Sequence, residues 1–205
     1  MNLFTLDNLF LLLTGLTALY LLWRFYSRWK KEKGLYDVYY MMGFLVLLVS
    51  GLLLIFRGLG ILGSPFVLTV ASLIPLGISM GLMEQYCPKY KKIYKYFALI
   101  GFLAIAIATF AGLPLLQKIA VPVFHGVAGL IIFLLPILAR KAAKGFYWVG
   151  IGGLLIGLGG IALAFISSGK QLLFFSPEFV MVILTPLLLL MTLAFTWGFV
   201  KSIKQ

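Results

Sequence analysis

The stretch YKYFALIGFLAIAIATFAGLPLLQKIAVPVFHGVAGLIIFLLPILAR, Tyr94 to Arg140, decides the fold, because two long apolar runs flank one short polar tip. Its pattern recurs on either side. An aromatic (Tyr36, Tyr94, Phe146) is followed seven residues later by a glycine (Gly43, Gly101, Gly153), and roughly twenty residues further on by a proline (Pro65, Pro122, Pro177). Phe66, Phe124 and Phe179 follow those prolines, and Pro75, Pro136 and Pro186 interrupt the second apolar run of each unit. The spacing predicts three tandem helical hairpins.

Composition puts these hairpins in a membrane. The chain of 205 residues is 63% hydrophobic and 11% charged, with a mean hydropathy of +1.12, whereas a water-soluble domain is apolar over about half its residues. A formal net charge of +12 would suit nucleic acid if it formed a solvent-facing patch, but here the cations sit in short segments between apolar runs, so no nucleic-acid partner is expected. Cys87 and His125 are the only residues of their kinds. An internal disulfide, a multi-cysteine metal site and a two-histidine haem or zinc site are thereby excluded within one subunit, and no cofactor is expected.

An all-α integral membrane protein of seven transmembrane helices follows, as a single polytopic domain over residues 1–205. A leading helix spans residues 9–26; the hairpin repeats cover approximately 36–83, 94–140 and 146–200. The leading run is preceded by eight residues without a basic group and followed by Arg24, Arg28, Lys30, Lys31 and Lys33, the reverse of a cleavable signal, so it is expected to remain as a span. Alternating the linkers leaves only Arg57, Lys118 and Lys170 on one side; the other fourteen Lys and Arg fall on the other. Lys and Arg in short loops mark the cytoplasmic side, which predicts an outside N-terminus and a cytoplasmic C-terminus in the cell membrane. The three hairpins then share one orientation and would ring an axis along the membrane normal, with the leading helix outside that symmetry. Glycines crowding the run Gly150 to Gly160 would permit close helix approach.

Chemistry is expected at the outward face. Ser64-Pro65 and Ser176-Pro177 read as helix starts, serine as N-cap and proline at the first helical position; Val121-Pro122 keeps the proline alone. Three helix N-termini and the tip cations Arg57, Lys118 and Lys170 would give a positive vestibule favouring an anion. Thr69, Ser72, His125 and Thr185 are expected two to three turns below it, with Ser167 and Ser50 reaching the same level from helices running the other way. His125 is the most informative of these, because an ionisable group at membrane depth is by default a site residue facing a bundle interior or a wet cavity. The substrate-binding set is therefore His125, Arg57, Thr69, Ser72, Lys118, Ser167, Lys170 and Thr185. Aromatics at the cytoplasmic ends, Tyr40, Tyr86 and Tyr94 among them, read as an interfacial belt, and Glu84 as a surface ion pair with the lysines that follow it. Glu84 and Glu178 are taken as the acidic residues at span edges.

The tandem hairpins resemble the general plan of the mitochondrial carriers. The charged motif that follows the kinking prolines of that family is missing, since Pro75, Pro136 and Pro186 are followed by leucine, isoleucine and leucine, so membership is not implied. A retinal protein needs a lysine in its last span, and Phe179 to Val200 has none. Acid/base pairs for an enzyme are lacking. Two functions remain. One is a channel or transporter whose outward vestibule takes a small anionic or neutral solute. The other is a noncatalytic membrane-complex subunit or lipid-binding scaffold. The bilayer is the expected partner in either case, with anionic lipids at the cytoplasmic face and a homo-oligomer or a membrane-complex partner as further possibilities.

Overall fold

The computed structural model of the protein describes residues 5–139, 142–167 and 176–203, and these are helical without strands. α1 (Leu6–Glu32) and α2 (Leu35–Arg57) are followed by a 3-10 turn at Leu59–Gly63, then by α3 (Pro65–Ala71) and α4 (Leu73–Tyr86). α5 (Lys91–Phe110), α6 (Pro114–Leu138), α7 (Tyr147–Ser167) and α8 (Pro177–Ile203) complete the chain. Among the described residues six helices are long and apolar enough to cross a membrane: α1, α2, α3 with α4 as one unit, α5, α6 and α8. In α7 the apolar described segment is the shorter Tyr147–Gly160. This is a multi-pass membrane protein.

Two residues turn α1 back on itself as α2. Lys33 takes the left-handed conformation with φ 54°, its N–H bonded to the Trp29 carbonyl at 2.8 Å, and Gly34 opens α2. So tight a turn forces the helices antiparallel and sets Arg28 opposite Asp37. The two form a bidentate pair, Arg28 Nε donating to Asp37 Oδ1 at 2.8 Å and Oδ2 at 3.1 Å and Arg28 Nη2 to Oδ1 at 2.5 Å. Their side chains are 6% and 0% exposed, so this is a buried ion pair inside the α1–α2 seam. Asp37 thus adds a third acidic group to the span edges, and Asp7, in the first turn of α1, adds a fourth.

Pro75 explains why α3 and α4 are two segments of one span. It offers no N–H to the carbonyl four residues back, and its ring crowds that carbonyl. The interruption falls at Ser72, whose hydroxyl donates to the Thr69 carbonyl at 2.6 Å. Beyond it, α4 approaches α2 almost backbone to backbone: a Cβ on Gly77 would lie 2.9 Å from the Tyr39 carbonyl oxygen and 3.0 Å from the Gly43 nitrogen.

Neighbouring helices close a ring, α1 beside α2, α2 beside α4, α4 beside α6, α6 beside α7, α7 beside α8, and α8 back beside α1. α5 stands outside it, against α3, α4 and α6. Each predicted hairpin does pair with itself, but the arrangement gives the repeat no support. The leading helix is a member of the ring, whereas α5, half of the central hairpin, is not. The proline register fails as well. Pro65 and Pro177 sit at helix starts, but α6 begins at Pro114, so Pro122 lies inside a helix and Lys118 lies on it instead of at a tip.

At the end where α1 finishes and α2 begins, hereafter the basic end, the ring is filled. Phe25, Tyr40, Phe44, Phe146, Phe195 and Phe199 are all fully buried there. Phe199 is the hub, with ring centroids 5.1 Å from Phe25, 4.8 Å from Tyr40 and 5.7 Å from Phe146. Such pairs contribute about 0.5–1.5 kcal/mol each beyond the area they bury. Tyr40 and Tyr94 therefore leave the expected interfacial belt. Tyr40 donates to Gln85 Oε1 at 2.9 Å, and Tyr94 reaches into the bundle to Ser79 Oγ at 2.7 Å. Glu84 keeps its expected partners, Lys91 and Lys95, each at 2.7 Å.

Candidate functional site

The opposite half of the ring surrounds a partly open cavity of about 140 Å³. Helical spacing presents its walls: Leu47, Ser50, Gly51 and Leu54 form one face of α2, and Leu184, Leu187, Leu188 and Met191 one face of α8. Gly159 and Gly160 of α7 and Ala71, beside the interruption before α4, contribute little side-chain volume, so the helices meet without filling the space between them. Leu11 and Thr14 bring α1 into the lining.

α6 contributes one described lining residue, His125. Counted from Pro114, it lies eleven residues along a 25-residue helix, about 16 Å from its start and near its middle. That is about two turns deeper than a helix starting at Pro122 would put it. A Cβ on Gly160 would lie 3.5 Å from His125 Cδ2, an ordinary contact distance, so α7 passes directly beside the imidazole. The residue is half-buried overall, but its Nδ1 is buried and has no hydrogen-bond partner among the described residues. Few other polar groups share the walls. The Thr14 hydroxyl donates to the Phe10 carbonyl at 2.8 Å, leaving Ser50 as the nearest counterpart in kind.

The remaining predicted site residues do not converge there. Thr69 is buried with its hydroxyl unpartnered, and Ser72 is buried and turned to its own helix; neither lines the cavity, because the face of α3 and α4 that does carries Val67, Ala71, Ile74 and Pro75. Thr185 is buried and donates to Asp7 Oδ1 at 2.5 Å, joining α8 to the start of α1. Arg57 and Lys118 are exposed. Ser167 is the last residue of α7, its side chain outside what the structure describes, and Lys170 lies outside the described residues. Of the expected helix starts, Ser176 caps α8 through a 3.2 Å bond from Phe179 N, whereas Ser64 makes no side-chain cap bond.

Thr14 and Ser50 are the lining groups that the substrate set omits. Thr14 sits on the helix expected to stand apart from the others, and only ring closure through α1 gives it a place in the wall. Among the described residues no three His, Cys, Asp or Glu side chains come together in a way that holds a metal ion. Among the described residues the cavity therefore offers shape, apolar surface, one imidazole and the hydroxyls of Thr14 and Ser50.

Comparison with protein-family models, with curated proteins and with solved structures found no match.

Proposed function

We propose that the protein is a small transporter of the cell membrane that holds a small neutral solute in the cavity beside His125, in a state closed toward the cytoplasm. The observation that carries this reading is the ring itself: six helices surround a cavity in one half and an aromatic core fills the other. Seven spans with an outside N-terminus agree with the distribution of Lys and Arg, which makes the basic end cytoplasmic. Movement has natural weak points, since Pro75, Pro122 and Pro186 each remove a helix hydrogen bond in helices that border the cavity. An open pore is disfavoured by the buried aromatics below the cavity. No catalytic step is assigned.

Single cysteines test the proposal in a Cys87→Ser background. His125→Cys is expected to react with a small membrane-impermeant thiol reagent added outside, as the exposed Lys118→Cys does. Thr69→Cys and Thr185→Cys are expected to stay protected, because neither side chain lines the cavity. Protection of His125→Cys from both sides, with Lys118→Cys still reactive, would remove solute access and with it the transport reading.

A scaffold contacting anionic lipid is the second reading, favoured by lysine–aromatic pairs at the basic end: Lys30 over Tyr26 at 5.2 Å, Lys33 over Trp29 at 4.4 Å and Lys201 over Trp197 at 4.8 Å. Amphipathic rings and cations at one level suit an anionic headgroup layer. On this reading, removal of Lys30, Lys33 and Lys201 weakens association with anionic lipid while thiol access to residue 125 is absent.

A further inference from the structure

We infer that the cavity opens toward the basic end when two three-helix bodies part along the α1–α8 seam, while the Asp7–Thr185 bond keeps that seam shut at its outer end; this rests on the reading of the cavity as a solute site. The bodies are marked out by where backbones touch. Arg28 with Asp37 ties α1 to α2, and the close approach of Gly77 to Tyr39 and Gly43 ties α2 to α4, as does the bond from Tyr40 to Gln85. Opposite them, Gly150 and Gly153 lie against the backbone of α6, and a Cβ on Gly198 of α8 would lie 2.7 Å from the Val149 nitrogen of α7. Among the described ring glycines, none has its nearest interhelical contact across α1–α8 or α4–α6, although both pairs of helices are neighbours. One body is therefore α1, α2 and α3 with α4; the other is α6, α7 and α8.

The two sides on which the bodies meet differ. On one, the chain itself runs from α4 through α5 to α6, and α5 lies against both, its Tyr94 bonded to Ser79 and its Phe97 packed on Phe124. That side is a spine. On the other, α1 and α8 are not consecutive in the chain, and at the basic end α8 meets α1 and α2 through rings. Phe199 lies 5.1 Å from Phe25 and 4.8 Å from Tyr40, and Phe195 lies 5.8 Å from Phe44. The Tyr86–Ser202 hydrogen bond crosses between the bodies as well, but joins half-buried groups. Rings that part leave no buried charge behind, whereas separating Arg28 from Asp37 would strand two. The weak side is thus α1–α8. Pro186 sets where along it the movement falls, because it follows Thr185 directly and weakens α8 on the outer side of Phe195 and Phe199. Bending there carries both rings away from α1 and α2 and leaves Thr185 on Asp7.

Pairs of spin labels measure the movement in the full-length protein in nanodiscs, in a Cys87→Ser background. Lys31→Cys/Lys201→Cys spans the seam, Lys31→Cys/Lys89→Cys reports on the first body and Leu138→Cys/Lys201→Cys on the second, all at exposed positions. Phe199→Ala removes the ring pairs with Phe25 and Tyr40 and is expected to raise the open fraction about tenfold, the equivalent of about 1.4 kcal/mol. A longer distance should appear across the seam, and the other two pairs should keep theirs. His125→Cys should become reactive to the impermeant thiol reagent from the basic side. Phe199→Leu, which keeps most of the volume, should act in the same direction to a smaller extent. No longer distance in either variant, with His125→Cys still reactive from outside, would overturn the gate and leave the solute site. Lengthening of all three pairs together would overturn the division into two bodies. A longer seam distance with residue 125 unreactive from either side would remove the solute site and the inference that rests on it.

Discussion

Asp37→Ala is expected to destabilise the bundle by about 3–5 kcal/mol, because it leaves the Arg28 guanidinium buried without its carboxylate. Aromatic rings cover the pair. Arg28 stacks over Phe25 at 5.6 Å and over Tyr36 at 5.0 Å, and Asp37 is wholly inaccessible. Arg28→Ala should cost a similar amount, and Arg28→Lys should recover only part of it, since one ammonium cannot reproduce the two-pronged bond. The double variant Arg28→Met/Asp37→Leu separates charge from packing. It removes both ions and keeps the volume, so it should regain most of the loss. Denaturant titration in mixed micelles measures all four. If Asp37→Ala unfolds at the same midpoint as the parent protein, the pair is not buried as described.

The second large effect belongs to the α6–α7 seam. A Cβ on Gly153 would lie 2.6 Å from the Ile132 carbonyl carbon and 2.7 Å from the Phe133 nitrogen, and one on Gly150 would lie 2.6 Å from the Phe133 carbonyl oxygen. Backbone cannot move aside as a side chain does, so Gly153→Ala must push the helices apart. Between membrane helices, where water offers no hydrophobic drive, close packing is a main source of association. A loss of about 1–3 kcal/mol is expected. Gly157→Ala is the internal control one turn along, since its Cβ would meet nothing within 4 Å. Equal midpoints for the two variants in the same titration would show that α6 and α7 do not meet through Gly153.

How much of this could be read from the residues depends on what membrane burial leaves visible. Apolar runs and intervening lysines mark the helices well, because spanning length and loop charge are one-dimensional properties. Gly150 and Gly153 were equally legible, as small residues repeated along one run. The order of helices around the ring was not. Lipid-facing and bundle-facing positions are both apolar, so Leu12, which is exposed, and Leu11, which is buried, look alike in the sequence. The repeat drew its force from Pro122, yet Pro114 is the proline that opens α6, and spacing alone cannot tell a helix start from an internal kink.

The site was legible at one residue and misread around it. His125 announced itself by the cost of placing imidazole in a membrane helix, and it lines the cavity. Thr69, Ser72 and Thr185 are buried but do not line the cavity, because facing depends on which neighbours a helix has, and sequence position does not show that. Asp37 carried a signal that was available. A carboxylate in the first turn of a long apolar helix requires a partner, and Arg28 stands nine residues before it across a two-residue turn. Asp7, also in the first turn of a long apolar helix, had no partner nearby in the sequence; its bond to Thr185 spans nearly the whole chain.

That bond also gives the most direct test of the central claim, that α1 closes the helix ring around the His125 cavity. The pair Asp7→Cys/Thr185→Cys, in a Cys87→Ser background, is oxidised mildly in the membrane and followed by gel mobility after proteolysis of an intervening loop. The control is Gly15→Cys/Leu48→Cys, across the α1–α2 seam where a Cβ on Gly15 would lie 3.4 Å from Leu48 Cδ1. Side chains that touch lie near enough for small thermal motions to bring two thiols together, so both pairs should cross-link within one chain. A cross-link at 15 and 48 without one at 7 and 185 would place α1 outside the ring and contradict the account.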